Sequence, residues 1–212
     1  TIGTTISSKV INVDLDITTN ATIVAQASDF GLFATAIANV FTGLEVRASA
    51  FSDAVAGIDN TSVLSVGGFA FASGIVAFAS ANVSPAIGNF AFAFDTAIAD
   101  IDNAGLINVD AAAAAFGIFA GANANATAVN QAAIGFDTGI AAIDNIAGGV
   151  IDVDAAAAAF GIFAGANANA LGINQLAIGS TAIADINNAG TIDVLALAAA
   201  SGGLVNATAA AQ

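Results

Sequence analysis

The densest group of side chains able to do chemistry in this chain is Asp100-Ile101-Asp102-Asn103-Ala104-Gly105-Leu106-Ile107-Asn108-Val109-Asp110. Asp-x-Asp followed by Gly and Ile at EF-hand spacing suggests a loop that wraps Ca2+ in carboxylate oxygens. Ala104 stands where a fifth ligand is required and Ala111 where the twelfth is, and Ala142 replaces Asp100 in the next copy of the motif. The segment therefore reads better as the corner of a repeat. A second metal idea rests on the recurrence itself. Stacked in register, Asp59, Asp102, Asp144 and Asn187 form one ladder, Asp95 and Asp137 another, and Asp110 and Asp154 a third. Like charges one or two rungs apart, roughly 5–10 Å by strand spacing, repel each other. Bound Ca2+ would relieve that repulsion, and so would protonation or solvation. Asp59, Asp102, Asp144, Asp95 and Asp137 are accordingly the metal candidates, and no other cofactor is expected.

Catalysis has few tools here. There is no His and no Cys, hence no ordinary general base near neutrality, no thiol nucleophile and no zinc site. Asp152 and Asp154 share one side of a strand, but without other polar machinery they read as a solvated face rather than a glycosidase pair. The expectation is a protein that is not an enzyme. Lys9 and Arg47 are the only basic side chains against a net charge of −14, which excludes a nucleic-acid partner. Thr clusters near the start of the chain and does not recur through the repeats, so an ice-binding surface is a poor reading.

The elements that must position these residues come from a repeat. Phe30-Gly31-Leu32-Phe33, Ser73-Gly74-Ile75-Val76, Phe116-Gly117-Ile118-Phe119, Phe160-Gly161-Ile162-Phe163 and Ser201-Gly202-Gly203-Leu204 recur at offsets of 43, 43, 44 and 41 residues. Such a period marks a stacked array whose units bury their apolar faces only against neighbours. The 212 residues read as a single repeat domain with signatures at 30–40, 73–83, 116–126, 160–170 and 201–211. After each signature, Ala occupies every second position (Ala120, Ala122, Ala124, Ala126, and likewise Ala164 to Ala170) while the residues between vary. Strict period two is a strand signal, and it overrides the helix propensity of runs such as Ala111–Ala115. Small inward side chains imply sheets that approach closely. Ile58-Asp59-Asn60, Ile101-Asp102-Asn103, Ile143-Asp144-Asn145 and Ile186-Asn187-Asn188 are expected to be turns. The fold expected is all-β: a β-solenoid of five repeats of about 43 residues, each with three strand segments, forming one large coil or two smaller ones. Asn130-Gln131 and Asn174-Gln175 are either stacked amide ladders or plain polar corners. Phe116, Phe119, Phe160 and Phe163 are expected in the core on one side and in lateral packing between filaments on the other.

Uncharged stretches at 61–94, 111–136 and 155–184, with Gly117-x-x-x-Gly121 and Gly161-x-x-x-Gly165, raise a membrane reading. Recurrent Asn and Gln inside them, and the lack of Trp, Tyr and basic flanks, argue against a span. Thr1-Ile2-Gly3-Thr4-Thr5 matches Ala177-Ile178-Gly179-Ser180-Thr181, so residues 1–10 read as an incomplete repeat segment. The closing Val205–Gln212 matches the end of a second segment. Joining Gln212 of one copy to Thr1 of another nearly rebuilds the repeat. Thr1, Ile2, Gly3, Thr4 and Thr5 are thus expected to meet Ala207, Ala209, Ala211 and Gln212 of a neighbour, giving a head-to-tail homopolymer, with lateral bundling as a further mode. The competing expectation is an excerpt of a longer repetitive polypeptide. A start at Thr-Ile-Gly rather than Met reads as a processed product.

Asn188-x-Gly190-Thr191-Ile192-Asp193-Val194-x-Ala196-x-Ala198, with the Asn-Gln corners, resembles the repeats of bacterial surface β-solenoids: autotransporter-type passenger domains and large repetitive adhesins. The recurrent Asn and Gln are also similar to functional amyloids such as curli and the Fap fibre proteins, whose specific repeat motifs are not present. The resemblance implies an extracellular or cell-surface location and a role as a structural subunit of a surface or biofilm-matrix filament, or as a segment of an adhesin.

Overall fold

The structure, a computed structural model, describes residues 2–5 and 10–212. All of its sheets are parallel, and the chain winds through them in order, coil upon coil. The first sheet stacks β2 (Val10–Ile17), β6 (Asp53–Asn60), β10 (Thr96–Asn103), β13 (Thr138–Asn145) and β16 (Thr181–Asn188). The second stacks β3 (Ala21–Phe30), β7 (Val63–Ser73), β11 (Leu106–Phe116), β14 (Val150–Phe160) and β17 (Thr191–Ser201). The third begins as two short strands per coil, β4 (Phe33–Val40) then β5 (Leu44–Ser49), and β8 (Val76–Val83) then β9 (Ile87–Ala93). It continues as β12 (Phe119–Gly135), β15 (Phe163–Ile178) and β18 (Leu204–Ala211), while β1 (Ile2–Thr5) pairs with β5. Pro85 sits where β8 and β9 part; without an N–H it cannot donate to the ladder, whereas Thr127 and Ala128 carry β12 straight through.

Register settles the size of the coil. Leu106 lies beside Val63 on one side and Val150 on the other, 43 and 44 residues away. Each repeat is therefore one large coil of three faces. The alanine runs are strand, as the alternation requires. In β11 the odd residues Ala111, Ala113 and Ala115 point inward at 3% exposure or less, and β11 packs on β12, whose Ala120, Ala122, Ala124 and Ala126 also point inward. Alanine facing alanine makes this half of the coil thin. The other half is filled by stacked Ile58, Ile101 and Ile143 of the first sheet together with Ile107, Val109, Ile151 and Val153 of the second, all buried in one core.

Two expectations are corrected. The Ile-Asp-Asn triplets end strands rather than forming turns; the chain turns afterwards, at Ala104-Gly105 and Ala189-Gly190. Asn60, Asn103 and Asn145 point inward there, fully buried, and donate Nδ2–H to the Oδ1 of the next coil's Asn at 2.8, 2.8 and 2.7 Å, ending on Asn188. The phenylalanines are also not core. Phe116, Phe119, Phe160 and Phe163 are 38–46% exposed and stack as outer columns, Phe116 on Phe160 and Phe119 on Phe163, both at 4.9 Å between ring centroids. Their spacing of three residues spans a two-residue corner, Gly117-Ile118, which turns both rings outward. That corner must be glycine. Gly117 N–H bonds Phe160 O at 2.9 Å, and a Cβ on Gly117 or Gly161 would overlap the carbonyl of the glycine one coil earlier.

Candidate functional site: acidic ladders and open coil ends

Outward alternation on the first sheet brings the aspartates together. Asp102 lies beside Asp59 and Asp144, as the ladder requires, and the column begins at Asp16 and ends at Asn187. The neighbouring column runs Asp14, Gly57, Asp100, Ala142, Asp185, so its carboxylates fall on every second coil. Asp95 and Asp137 do not join this face. They stack on one another in the corner between β9 or β12 and the first sheet, where Asp137 N–H donates to Asp95 O at 3.2 Å. On the second sheet Asp110 lies beside Asp154, and Asp152 beside Asn108 and Asp193.

The tightest group is one that the sequence did not single out. Carboxylate oxygens of Asp14, Asp16 and Asp59 lie within 4.8 Å of one another. Asp14 and Asp59 border a hollow of about 220 Å3 that also meets Asn12, Asp100 and Asp102. Aligning residues 14–16 with 57–59 at the repeat offset would have found it. Burial raises the Asp59 carboxyl above the ordinary carboxylate range, with Asp14, Asp102 and Asp16 adding repulsion. Burial does the same to Asp100, with Asp102 and Asp144 as the charged neighbours. On the second sheet Asp152 is raised by burial and then by Asp193 and Asp110, and Asp154 by burial and then by Asp152, Asp110 and Asp193. Arg47 does not relieve either field: its guanidinium pairs with Glu45 and lies 5.2 Å over the Phe90 ring on the third sheet. An all-oxygen, anionic donor set of this kind suits a hard divalent cation.

Amide ladders are more extensive than expected. Asn174 donates to Asn130 at 3.2 Å and Gln175 to Gln131 at 2.9 Å, so the Asn-Gln pairs are ladders. Asn39, Asn82, Asn125 and Asn169 form another, with contacts of 2.6–2.8 Å. Inside the coil, Asn89 and Gln131 cross the interior to carbonyls of the opposite sheet, Ala56 and Asp100 for Asn89 and Ala142 for Gln131.

The last coil is open. Every residue of β16 is exposed, including Ile186, whose counterpart one coil earlier, Ile143, is 1% exposed. Gln212 donates N–H to Ala170 O at 3.0 Å and accepts from Gly172 N–H at 2.8 Å. Its backbone is therefore used within the chain. Because strand residues direct their backbone groups to alternate sides, Ala207, Ala209 and Ala211 direct theirs away from β15. Among the described residues no strand pairs with β18 on that side. β18 covers β15 only as far as the Ala170–Ala211 pair. At the other end, Ile2 lies beside Val46, and the ladder continues through Asn89 and Gln131 to Gln175. Ile2–Thr5 thus occupy the level of Gln175–Ile178, three residues from the alignment with Ile178 expected from sequence. Thr1 lies outside the described residues.

No protein-family model matches the chain, and no curated protein or solved structure matches it either. No helix among the described residues is long and apolar enough to cross a membrane.

Proposed function

We propose that this chain is a non-catalytic structural subunit that stacks end to end into an extracellular fibre of a cell surface or biofilm matrix. The observation that carries the reading is the in-register parallel stack, whose strand edges and side-chain columns a neighbouring copy could continue. β18 leaves Gln175–Ile178 of β15 uncovered, and β1 holds that same level on the first coil. A second copy would set β2, β3 and β4 on β16, β17 and β18, and β1 beside Gln175–Ile178. Unpaired strand edges and bare Ile and Ala faces would be covered together, by strand addition with hydrophobic burial. The contact is head-to-tail and does not close, so it propagates. Ca2+ on the acidic ladders is part of this proposal, as the counter-charge along the first sheet. The competing reading, a segment of a large adhesin or passenger domain, draws on the same bare faces, which further coils of one polypeptide would cover equally well.

Electron microscopy with helical averaging tests the proposal. Stacking predicts unbranched fibres with an axial rise of about 24 Å per subunit, five coils at the parallel-strand spacing of about 4.8 Å. Ala209→Pro removes an outward N–H without touching the bonds to β15 and should stop growth. Dispersed rods from the unaltered chain, or fibres unaffected by Ala209→Pro, would overturn it.

A further inference from the structure

The outer face of the second sheet carries a feature that end-to-end stacking leaves uncovered. Along its edge, at the corner with the third sheet, runs an exposed apolar ridge: Phe30, Phe71, Phe116 and Phe160 on successive coils, with Leu32, Ile75, Ile118 and Ile162 at the corner itself. In the first coil Phe30 and Leu32 are 70% and 66% exposed, and the rings of Phe30, Phe71, Phe116 and Phe160 lie 4.9–5.5 Å apart in sequence along the axis. With Leu32, Ile75, Ile118 and Ile162 of the corner, the ridge exposes on the order of 700 Å2 of apolar surface, taking ~200 Å2 for each fully exposed large side chain. A typical monomer's largest apolar patch is about 300–600 Å2, and a standard interface takes about 800 Å2 from each partner.

Beside the ridge lies its complement. The outward positions next in from Phe116 and Phe160 are Ala114, Ala112, Ala158 and Ala156, which floor a groove of about 770 Å3 walled by Phe71 and closed by Leu197. A bump adjacent to a hollow of like chemistry on one face is self-complementary under a twofold axis: each copy's ridge fills the other's groove. An axis that exchanges ridge and groove runs along the stack, between the ridge and the groove floor, near Ala114 and Ala158. The charged groups on this face, Asp110, Asp152, Asp154 and Asp193, all lie on the far side of the groove from the ridge. Asp110 is six residues from Phe116, about 20 Å along the strand. In the twofold pair the two acidic rows fall at opposite margins of the contact instead of against each other.

We infer that a second copy of this chain docks on the second sheet, ridge into groove, about a twofold axis along the stack that sets the strands of the two sheets antiparallel. The contact is made between single solenoids, so it stands apart from end-to-end growth, and in fibres it would join two of them side by side. Its test uses the Ala209→Pro chain, in which end-to-end growth is blocked. Sedimentation should show a dimer at micromolar concentration, and adding Phe116→Ser with Phe160→Ser should leave a monomer whose circular dichroism is unchanged. Should the double serine chain fail to fold, Ala156→Lys in the groove floor serves the same purpose. The chain has no cysteine, so Ala114→Cys is a unique thiol; mild oxidation should cross-link it into a covalent dimer, whereas Ile37→Cys on the third sheet should not cross-link. A monomer in the Ala209→Pro chain, a dimer that survives the ridge and groove substitutions, or equal cross-linking at Ile37 and Ala114 would each overturn the inference. Fibres persisting with Ala209→Pro would instead count against end-to-end stacking, and the cross-link comparison would still decide the lateral contact.

Discussion

Asn103 sits midway along the buried amide ladder and is the most demanding place to perturb it. Its Nδ2 donates to Asn145 Oδ1 at 2.8 Å and to Val150 O at 3.2 Å, and its Oδ1 accepts from Asn60 Nδ2 at 2.8 Å. Asn103→Ala removes all three bonds and leaves Asn145 Oδ1 without a donor in a fully buried site, with Asn60 retaining only a long contact to Leu106 O at 3.4 Å. Each buried group so orphaned costs about 1–3 kcal/mol. The cavity left by the amide adds to this, for an expected loss of about 3–5 kcal/mol. In a domain of this size that is a fall in Tm of about 10 °C. Asn188→Ala is the control at the open end. It removes one bond, from Asn145 Nδ2 at 2.7 Å, and that donor keeps Thr191 O at 3.1 Å and Gly149 O at 3.3 Å. The expected cost is ~1 kcal/mol or less. Urea unfolding followed by circular dichroism, on chains kept unassembled, measures both. If Asn103→Ala costs no more than Asn188→Ala, the ladder is not a source of stability and its geometry is incidental.

Acidification should stabilise this protein over a range where many others weaken. Asp59, Asp100, Asp152 and Asp154 have raised folded-state values, chiefly through burial and then through neighbouring carboxylates. Between the ordinary Asp value near 3.9 and those raised values, the folded chain holds protons that the unfolded chain has released. Stability therefore falls as pH rises through that interval and returns as pH is lowered. A Tm no higher at pH 4.5 than at pH 7.5 would contradict this. Millimolar Ca2+ should also raise Tm at neutral pH, an increment that EDTA reverses and Asp59→Asn reduces; no response to either reagent at low ionic strength rules out the cation. Gly161→Ala should destabilise by about 2 kcal/mol or more, as overpacking against backbone does, because its Cβ would overlap Gly117 O. Gly165→Ala, four residues on with nothing within 4 Å of its added methyl, should be neutral or gain up to about 1 kcal/mol, and equal effects at the two sites in thermal melts would refute the close-stacking argument.

The architecture was largely legible because alanine at every second position fixes which face of each strand is inward, and the Phe-Gly signature fixes the period. Coil size was not, since a repeat of this length is compatible with one turn or two until a register partner is known. The Asn103 column was misread for a local reason. Asn beside Gly two residues on looks like turn chemistry, and only the partner amide 42 or 43 residues away shows that it points inward. Phe116 and Phe119 look like residues on opposite faces because three positions separate them; the parity changes in the corner, which sequence alone does not place. For the acidic site, Asp59, Asp102 and Asp144 were visible as a column, while Asp14 and Asp16 were overlooked because the first coil departs most from the others in sequence.

One coil per repeat also governs how such a chain can change in evolution. Residue pairs in successive coils are 41 to 44 positions apart, and the differences are absorbed in corners, as at Ile146–Gly149, where four residues replace the two at Ala104-Gly105, or at the break between β8 and β9. Loss or duplication of one whole unit at the gene level would re-form every amide, phenylalanine and alanine column with the copy next along. A single-residue insertion within a strand would instead exchange its inward and outward sets. Molecular length is thus the property most easily altered by unequal recombination, while the cross-section of the rod is held nearly constant.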